Sequence, residues 1–95
     1  MSTGSRKMAS YSVALKPLVE KDLRSLPRSA VARILERIRM LADNPVPRQS
    51  AKLTEAEHLY RLRVGDYRVV YDIDHEARRV VVQYVRHRRD AYRDL

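Results

Sequence analysis

The sequence contains no cysteine and few histidines, so several kinds of site can be set aside first. Without cysteine there are no disulfides and no thiolate-bound metals. The three histidines lie far apart, without the spacing of metal ligands, at His58, His75 and His87. No apolar run approaches the roughly 18 residues of a membrane-spanning helix, and the N-terminus lacks the apolar centre of a signal peptide. We therefore expect a cytoplasmic protein that needs no metal or other cofactor.

The chain is short and strongly basic. Its 95 residues are enough for one small domain with a modest core. Lysine plus arginine number 20 against 12 aspartates plus glutamates, which gives a formal net charge of +8 and a pI near 10.3. Arginine outnumbers lysine, and its planar fork favours bidentate recognition of phosphate. The composition therefore indicates a nucleic-acid binder or a protein with an acidic partner.

Two helices are predicted after one short strand. Residues 10–15 alternate between polar and apolar side chains, as a strand does. Pro17 suits the first turn of a short helix that ends before Pro27. A longer helix then carries one apolar stripe, made of Val31, Ile34, Leu35, Ile38, Leu41 and Ala42. The arginines on its opposite side, among them Arg33, are interpreted as a solvated face.

Three strands are predicted in the second half of the chain, over residues 59–64, 67–73 and 79–87. A polar connection over residues 45–57 precedes them. The fold class is therefore α+β: a mostly antiparallel four-stranded sheet with two N-terminal helices on one face, in the order β-α-α-β-β-β. Alternation assigns the strand tyrosines to the buried face, namely Tyr60, Tyr67, Tyr71 and Tyr84. We expect one domain over residues 9–95, preceded by residues 1–8 as a disordered tail or a remnant of cloning.

The predicted hairpin crowds three arginines onto one face of the sheet. Gly65-Asp66 forms a two-residue turn, so Arg63 lies directly opposite Arg68, and Arg61 lies two residues along the same face. Like charges opposite one another destabilise a sheet. Folding alone gives no reason for this arrangement, and it predicts a binding site for an anion.

Three segments carry a resemblance to a known family. They are Lys52-Leu53, the run Tyr60-Arg61-Leu62-Arg63-Val64-Gly65-Asp66-Tyr67-Arg68-Val69-Val70-Tyr71, and the run Val85-Arg86-His87-Arg88-Arg89-Asp90-Ala91-Tyr92-Arg93. With the order of elements, this pattern resembles the RelE branch of the RelE/ParE superfamily of type II toxins over nearly the whole chain. The resemblance implies a bacterial toxin that a cognate antitoxin holds inactive, and that cleaves mRNA in the ribosomal A site.

The resemblance also implies a set of site residues. The positions that match the family's active site are Arg61 and Arg63 (often lysine in the family), Arg68, a C-terminal arginine and Tyr92. Spacing leaves the C-terminal arginine open between Arg86 and Arg88, and Arg88 is preferred because it follows the His-Arg element. Contacts with the RNA backbone are expected from Arg61, Arg86, Arg89 and Lys52.

The general base is not assigned by these residues. Arginine is effectively never deprotonated in proteins, so Arg61 and Arg63 cannot take a proton from the 2′-OH. His87 has the most suitable intrinsic pKa, although strand alternation from Arg88 points it to the other face. Lys52 precedes the hairpin and is the second candidate. Without a base, catalysis would rest on positioning and charge, with the ribosome contributing.

Three functions remain open from the sequence. The first is a ribosome-dependent endoribonuclease without a metal, restrained by an antitoxin whose acidic or amphipathic segment wraps the toxin. The second is a ParE-like toxin that inhibits DNA gyrase and cleaves no RNA. The third is a binding module with weak catalysis, whose basic face docks an acidic antitoxin segment. The arginines with Tyr92 favour the first, because a gyrase inhibitor needs no catalytic set.

Overall fold

The computed structural model describes residues 10–53 and 58–91, with the backbone alone for residues 90 and 91. The elements in chain order are β1 (Ser12–Leu15), α1 (Pro17–Arg24), α2 (Arg28–Met40), β2 (Ser50–Lys52), β3 (Leu59–Val64), β4 (Tyr67–Asp74), β5 (Arg79–His87) and α3 (Arg88–Ala91). No helix in these two ranges is long and apolar enough to cross a membrane. The predicted tail, residues 1–8, lies outside the described residues.

The strands form one sheet in the order β1-β5-β4-β3-β2. β1 runs parallel to β5 and the other pairs are antiparallel, so the mostly antiparallel sheet is confirmed. The predicted count of four strands is wrong, because β2 lies within the stretch assigned to a polar connection. Its sequence, Ser-Ala-Lys, has neither β-branched residues nor apolar alternation. Only pairing with β3 makes it a strand, and its own residues give no signal.

Helices α1 and α2 cover one face of the sheet, as predicted. Val19 of α1 and Ile34 of α2 are fully buried there. They pack in one core with the inward-facing strand residues Leu62, Val64, Val69, Tyr71, Ile73, Val80, Val82 and Val85. Pro17 at the start of α1 has the fixed φ of a first helical turn, which explains why the helix begins at that residue.

Tyr71 ties the loop after α2 to the middle of the sheet. Its side chain is fully buried and its hydroxyl donates a hydrogen bond to the carbonyl oxygen of Pro45 at 2.7 Å. The ring stacks on Tyr60 with 5.8 Å between centroids. Burial raises the pKa of Tyr71 to about 12, since the phenolate would be poorly solvated there. The hydroxyl is therefore a structural donor.

A β-bulge in β5 changes which side chains face the helices. Val70 of β4 pairs with Tyr84 and the next residue, Tyr71, pairs with Val82, so Gln83 is an extra residue in β5. Up to Val82 the even-numbered residues of β5 face the core, and after the bulge the odd-numbered residues do. Tyr84 therefore lies on the face opposite α1 and α2, called the outer face below. The alternation that assigns Tyr84 to the buried face is wrong for this reason.

Candidate functional site

A row of three arginines crosses the outer face at the hairpin end of the sheet. Arg63 pairs with Arg68, and Arg68 pairs with Arg86 on its other side. These three residues are called the arginine row below. Arg61 lies next to the row, where it pairs with Val70. The predicted hairpin register is confirmed, and the bulge explains why Arg86 shares this face.

The backbone conformation of the turn requires glycine at position 65. Gly65 has a φ of 60°, while Asp66 has a negative φ, as in the type II′ turns that join tightly paired strands. A Cβ on Gly65 would also lie 2.9 Å from Nη2 of Arg33. Arg33 is exposed on α2, yet its guanidinium reaches the turn. A cation that the sequence assigns to a solvated face therefore lies at the end of the hairpin.

An open cavity of about 130 Å³ lies among the arginines. Its lining residues are Gln49, Ala51, Arg61, Arg63 and Arg68. Ala51 belongs to β2 and pairs with Arg61, while the backbone carbonyl of Gln49 accepts a hydrogen bond from the amide of Arg63 at 3.2 Å. Sequence reasoning missed Gln49 and Ala51 because β2 itself has no pattern. The site thus has a wall that only the tertiary structure reveals.

Arg68 is the most buried member of the row, with 8% of its surface exposed. Its Nη1 donates to the carbonyl oxygens of Gly65 at 3.1 Å and of Tyr67 at 3.0 Å. Among the described residues, Nε and Nη2 donate no hydrogen bond to a protein group. Those two nitrogens form the side of a guanidinium that binds a carboxylate or phosphate in a bidentate manner. One part of Arg68 therefore holds the turn, and the other can bind an anion.

Arg86 is held by an acidic partner on α1. Its Nη1 lies 2.9 Å from Oδ2 of Asp22, and the same oxygen accepts the backbone N–H of Val85 at 3.0 Å. Its guanidinium also lies over the ring of Tyr84, 4.6 Å from the centroid. Asp22 thus satisfies an edge amide of β5 beyond the end of β1 and offsets one charge of the row. Sequence reasoning missed Asp22, which lies 64 positions from Arg86.

The C-terminal arginines are brought beside the hairpin turn. The amide of Arg88, the first residue of α3, donates to the carbonyl oxygen of Asp66 at 2.6 Å. The side chains of Arg88 and Arg89 are exposed. Arg86 therefore lies within the arginine row and Arg88 at the end of the turn, so both stay candidates for the C-terminal site arginine. Tyr92, the remaining predicted member of the set, lies outside the described residues.

Both candidate bases lie away from the arginines. His87 pairs with Tyr67 on the helix side of the sheet, with the two rings edge to face at 5.5 Å. Its Nδ1 accepts the amide of Arg89 at 3.3 Å. Lys52 is exposed and pairs with Tyr60, which also places it toward the helix side. Neither side chain lines the arginine cavity. The cavity therefore brings arginines together but includes neither of the two candidate bases.

Comparisons with known proteins find relatives over nearly the whole chain. The family model described as the ParE toxin of the type II toxin-antitoxin system matches residues 13–92. The putative toxin RelE1 of Methanocaldococcus jannaschii is 30% identical over 87 residues, covering 88% of this chain and 97% of the relative. The toxin RelE of Mycobacterium tuberculosis is 34% identical over 84 residues, covering 87% of each chain.

Solved structures show the same fold. The archaeal RelE–RelB complex from Pyrococcus horikoshii matches at 34% identity with a TM-score of 0.75, covering 83% of this chain and 96% of that one. The RelBE2 toxin–antitoxin complex from M. tuberculosis matches at 32% identity with a TM-score of 0.74, covering 83% and 99%. The resemblance read from the sequence is confirmed. This chain belongs to the RelE/ParE superfamily of toxins of type II toxin–antitoxin systems.

Proposed function

We propose that this toxin is a ribosome-dependent endoribonuclease that cleaves mRNA without a metal and so inhibits translation. The observation that carries the proposal is the open cavity on the outer face that Arg61, Arg63 and Arg68 line, with Arg86 beside Arg68 in the arginine row. The relatives named RelE support it, since they share about a third of their residues with this chain over nearly their whole length. A ribosomal target also agrees with the cytoplasmic location expected from the sequence.

The chemistry suits a site built from arginines. In RNA cleavage without a metal, the 2′-OH attacks the adjacent phosphorus in line and the 5′-oxygen leaves, which yields a cyclic phosphate. Negative charge builds up on the equatorial oxygens of the transition state, and fixed guanidinium groups stabilise it. Arg68 is held by two hydrogen bonds to backbone carbonyls and needs little reorganisation. Arg63 is exposed beside it and can bind a second oxygen.

Proton transfer is the step that these side chains do not perform. Arginine stays charged at every pH of interest, and His87 and Lys52 lie toward the other face of the sheet. The proposal therefore assigns the rate enhancement to charge stabilisation and to in-line positioning of the mRNA by the ribosome. Proton removal is left to solvent or to the ribosome, and Tyr92 remains the predicted proton donor or stacking residue.

A cognate antitoxin is the second proposed partner. The solved relatives from P. horikoshii and M. tuberculosis are complexes of RelE-type toxins with their antitoxins. In this chain the arginines carry mutual repulsion that an anionic ligand relieves. An acidic or amphipathic antitoxin segment over the outer face would give that relief and block access of RNA.

A cleavage assay tests the proposal directly. Purified toxin is treated with EDTA or left untreated, and the EDTA is removed by desalting because ribosomes need Mg²⁺. Each sample is then added to ribosomes programmed with a defined mRNA, and the cut sites are mapped. We expect A-site cleavage that EDTA leaves unchanged, and a loss of at least about 100-fold in Arg63→Ala, since one charge-stabilising donor contributes this much in comparable sites. Arg39→Ala, which removes an exposed arginine from α2, is the matched control.

The gyrase alternative is tested beside it. Supercoiling by DNA gyrase is measured with the same toxin preparation. Intact mRNA together with inhibited supercoiling would mean a ParE-like function, and the endoribonuclease proposal would be abandoned. Cleavage that is lost after EDTA treatment of the toxin and returns when a divalent metal is added back to it would contradict the metal-independent mechanism alone.

A further inference from the structure

A second pocket lies on the outer face beside the arginine row. Its volume is about 370 Å³, within the range of pockets that hold small ligands. Leu53, Leu59 and Val70 form an apolar floor, and Gln83, Tyr84 and Lys16 supply polar groups at its rim. Among these residues Tyr84 also contacts the arginine row, since the guanidinium of Arg86 lies over its ring.

The strand register makes this pocket continuous with the arginines. Arg61, Val70 and Tyr84 form one line across β3, β4 and β5, and the next line toward the turn is the arginine row. Two residues along a strand span about 7 Å. A group that enters the pocket therefore remains attached, through a short linkage, to an anion held by the arginines.

The β-bulge gives the pocket its polar residues. Gln83 is the extra residue of β5, and Tyr84 after it is turned to the outer face. Nε2 of Gln83 donates to the carbonyl oxygen of Val81 at 3.3 Å, which orients the amide. A primary amide presents a donor and an acceptor side by side, the pattern that recognises the edge of a base. Bulges near functional sites often aim side chains in this manner.

We propose that this pocket binds an unstacked base of the RNA whose phosphate lies at the arginine row. The base rests on the apolar floor against Tyr84, its edge is read by the Gln83 amide, and Lys16 lies near the backbone. An RNA base is favoured as the occupant because the neighbouring surface is cationic and the pocket combines an aromatic ring with an amide. The inference rests on the proposed function and adds a determinant of cut-site preference to it.

Binding to the free toxin is the first test and needs no ribosome. The backbone amide spectrum of the full chain is recorded by NMR with each of the four 5′-mononucleotides and with ribose 5-phosphate as the baseless control. We expect all of these ligands to shift amides near Arg63 and Arg68, and only the nucleotides to shift Val70, Gln83 and Tyr84. Identical shifts from nucleotides and ribose 5-phosphate would overturn the proposal.

Cut-site preference is the second test. The ratio of cleavage at favoured and disfavoured positions of one ribosome-bound mRNA is measured for Gln83→Ala. Loss of a hydrogen bond to a base should lower the ratio about five- to tenfold. Tyr84→Leu should lower nucleotide binding by about tenfold, and Tyr84→Phe, which keeps the ring, should retain most of it. Urea unfolding of each variant shows that the fold is intact.

The outcomes separate this inference from the proposed function. If the toxin binds bases at Gln83 and Tyr84 but cuts no mRNA on ribosomes, the proposed function is wrong and the proposal that the pocket binds a base is retained. If it cuts mRNA and Gln83→Ala keeps the full preference, the pocket proposal is wrong. If Tyr84→Leu weakens antitoxin binding alone, the pocket holds an apolar antitoxin side chain and the base proposal is overturned.

Discussion

Nη1 of Arg68 donates a hydrogen bond of 3.1 Å to the carbonyl oxygen of Gly65, so a residue of the proposed catalytic set also fastens the turn beside it. Arg63, its neighbour across the hairpin, is exposed and has no such contact among the described residues. The two arginines therefore differ in what they contribute to the fold, although both are expected to act on phosphate.

Substitution of these two arginines should separate stability from activity. Arg68→Ala removes two hydrogen bonds to backbone carbonyls and should lower the free energy of unfolding by about 1–2 kcal/mol, with loss of cleavage. Arg63→Ala relieves repulsion across the hairpin and should leave stability unchanged or raise it by about 0.5 kcal/mol, also with loss of cleavage. Urea unfolding and the ribosome assay measure the two effects. Equal destabilisation by both variants would contradict the assigned roles.

The turn glycine should tolerate no side chain. Gly65→Ala places a Cβ at positive φ, so we expect the free energy of unfolding to fall by about 1–3 kcal/mol, while the exposed guanidinium of Arg33 can move aside. Asp66→Ala, at a negative φ in the same turn, is the control and should change stability by less than about 0.5 kcal/mol. Thermal or urea unfolding measures both. A neutral Gly65→Ala would mean that the turn adapts more easily than its geometry indicates.

Asp22 should matter more as an acceptor for Val85 than as the partner of a charge. Asp22→Asn keeps an oxygen for the Val85 amide and weakens the bond to Arg86, with an expected loss of at most about 1 kcal/mol. Asp22→Ala leaves that amide without its acceptor and should lower stability by about 1–3 kcal/mol. Urea unfolding of both variants, compared at one pH, measures the difference. Equal losses would assign the whole effect to the ion pair.

The raised pKa of Tyr71 should make the folded protein less stable in alkali. Its pKa is raised by burial from 10 to about 12 in the folded state, so the unfolded state ionises first. The full contribution is present below pH 10 and disappears between pH 10 and 12, a change on the order of 2–3 kcal/mol. Urea unfolding as a function of pH measures this slope. Tyr71→Phe should remove the slope, and a variant that keeps it would point to another group.

The salt dependence of RNA binding should report the number of contacts between the toxin and RNA phosphates. The logarithm of the affinity for single-stranded RNA falls with the logarithm of the salt concentration by about 0.7 per phosphate contact. Arg63→Ala should therefore reduce the slope by about 0.7, while Arg39→Ala should leave it unchanged. Fluorescence anisotropy with a labelled, non-cleavable RNA at several salt concentrations measures this. An unaltered slope in Arg63→Ala would remove that residue from the interface.

The parts of the fold with a strong pattern were predictable from sequence. The apolar stripe around Ile34 marks α2, and the Gly65-Asp66 turn sets the register that places Arg63 opposite Arg68. Both signals are local and follow from helical and strand periodicity. The shared face of Arg61, Arg63 and Arg68 therefore follows from the sequence alone.

Other parts of the site depend on contacts between distant segments. β2 becomes a strand only through its pairing with β3, and Asp22 meets Arg86 only after α1 has packed against the edge of β5. The bulge at Gln83 could not be predicted because its surroundings, Val80-Val81-Val82 and Val85, are apolar on both sides. Such a run fits either register equally well.

The extra residue in β5 reverses which side chains face the core in the rest of the strand. Everything that follows Gln83 is displaced by one position relative to the core, so Arg86 enters the arginine row and Val85 enters the hydrophobic interior. Deletion of Gln83 would remove the bulge and keep this order, with Val82 and Val85 facing the core and Arg86 facing out. Insertion of one residue between Tyr84 and Val85 would instead direct the side chain of Arg86 toward the core and place Val85 on the outer face. The face that Arg86 occupies is thus set by the number of residues between the bulge and Arg86, and such an insertion would move Arg86 out of the arginine row even with every arginine retained.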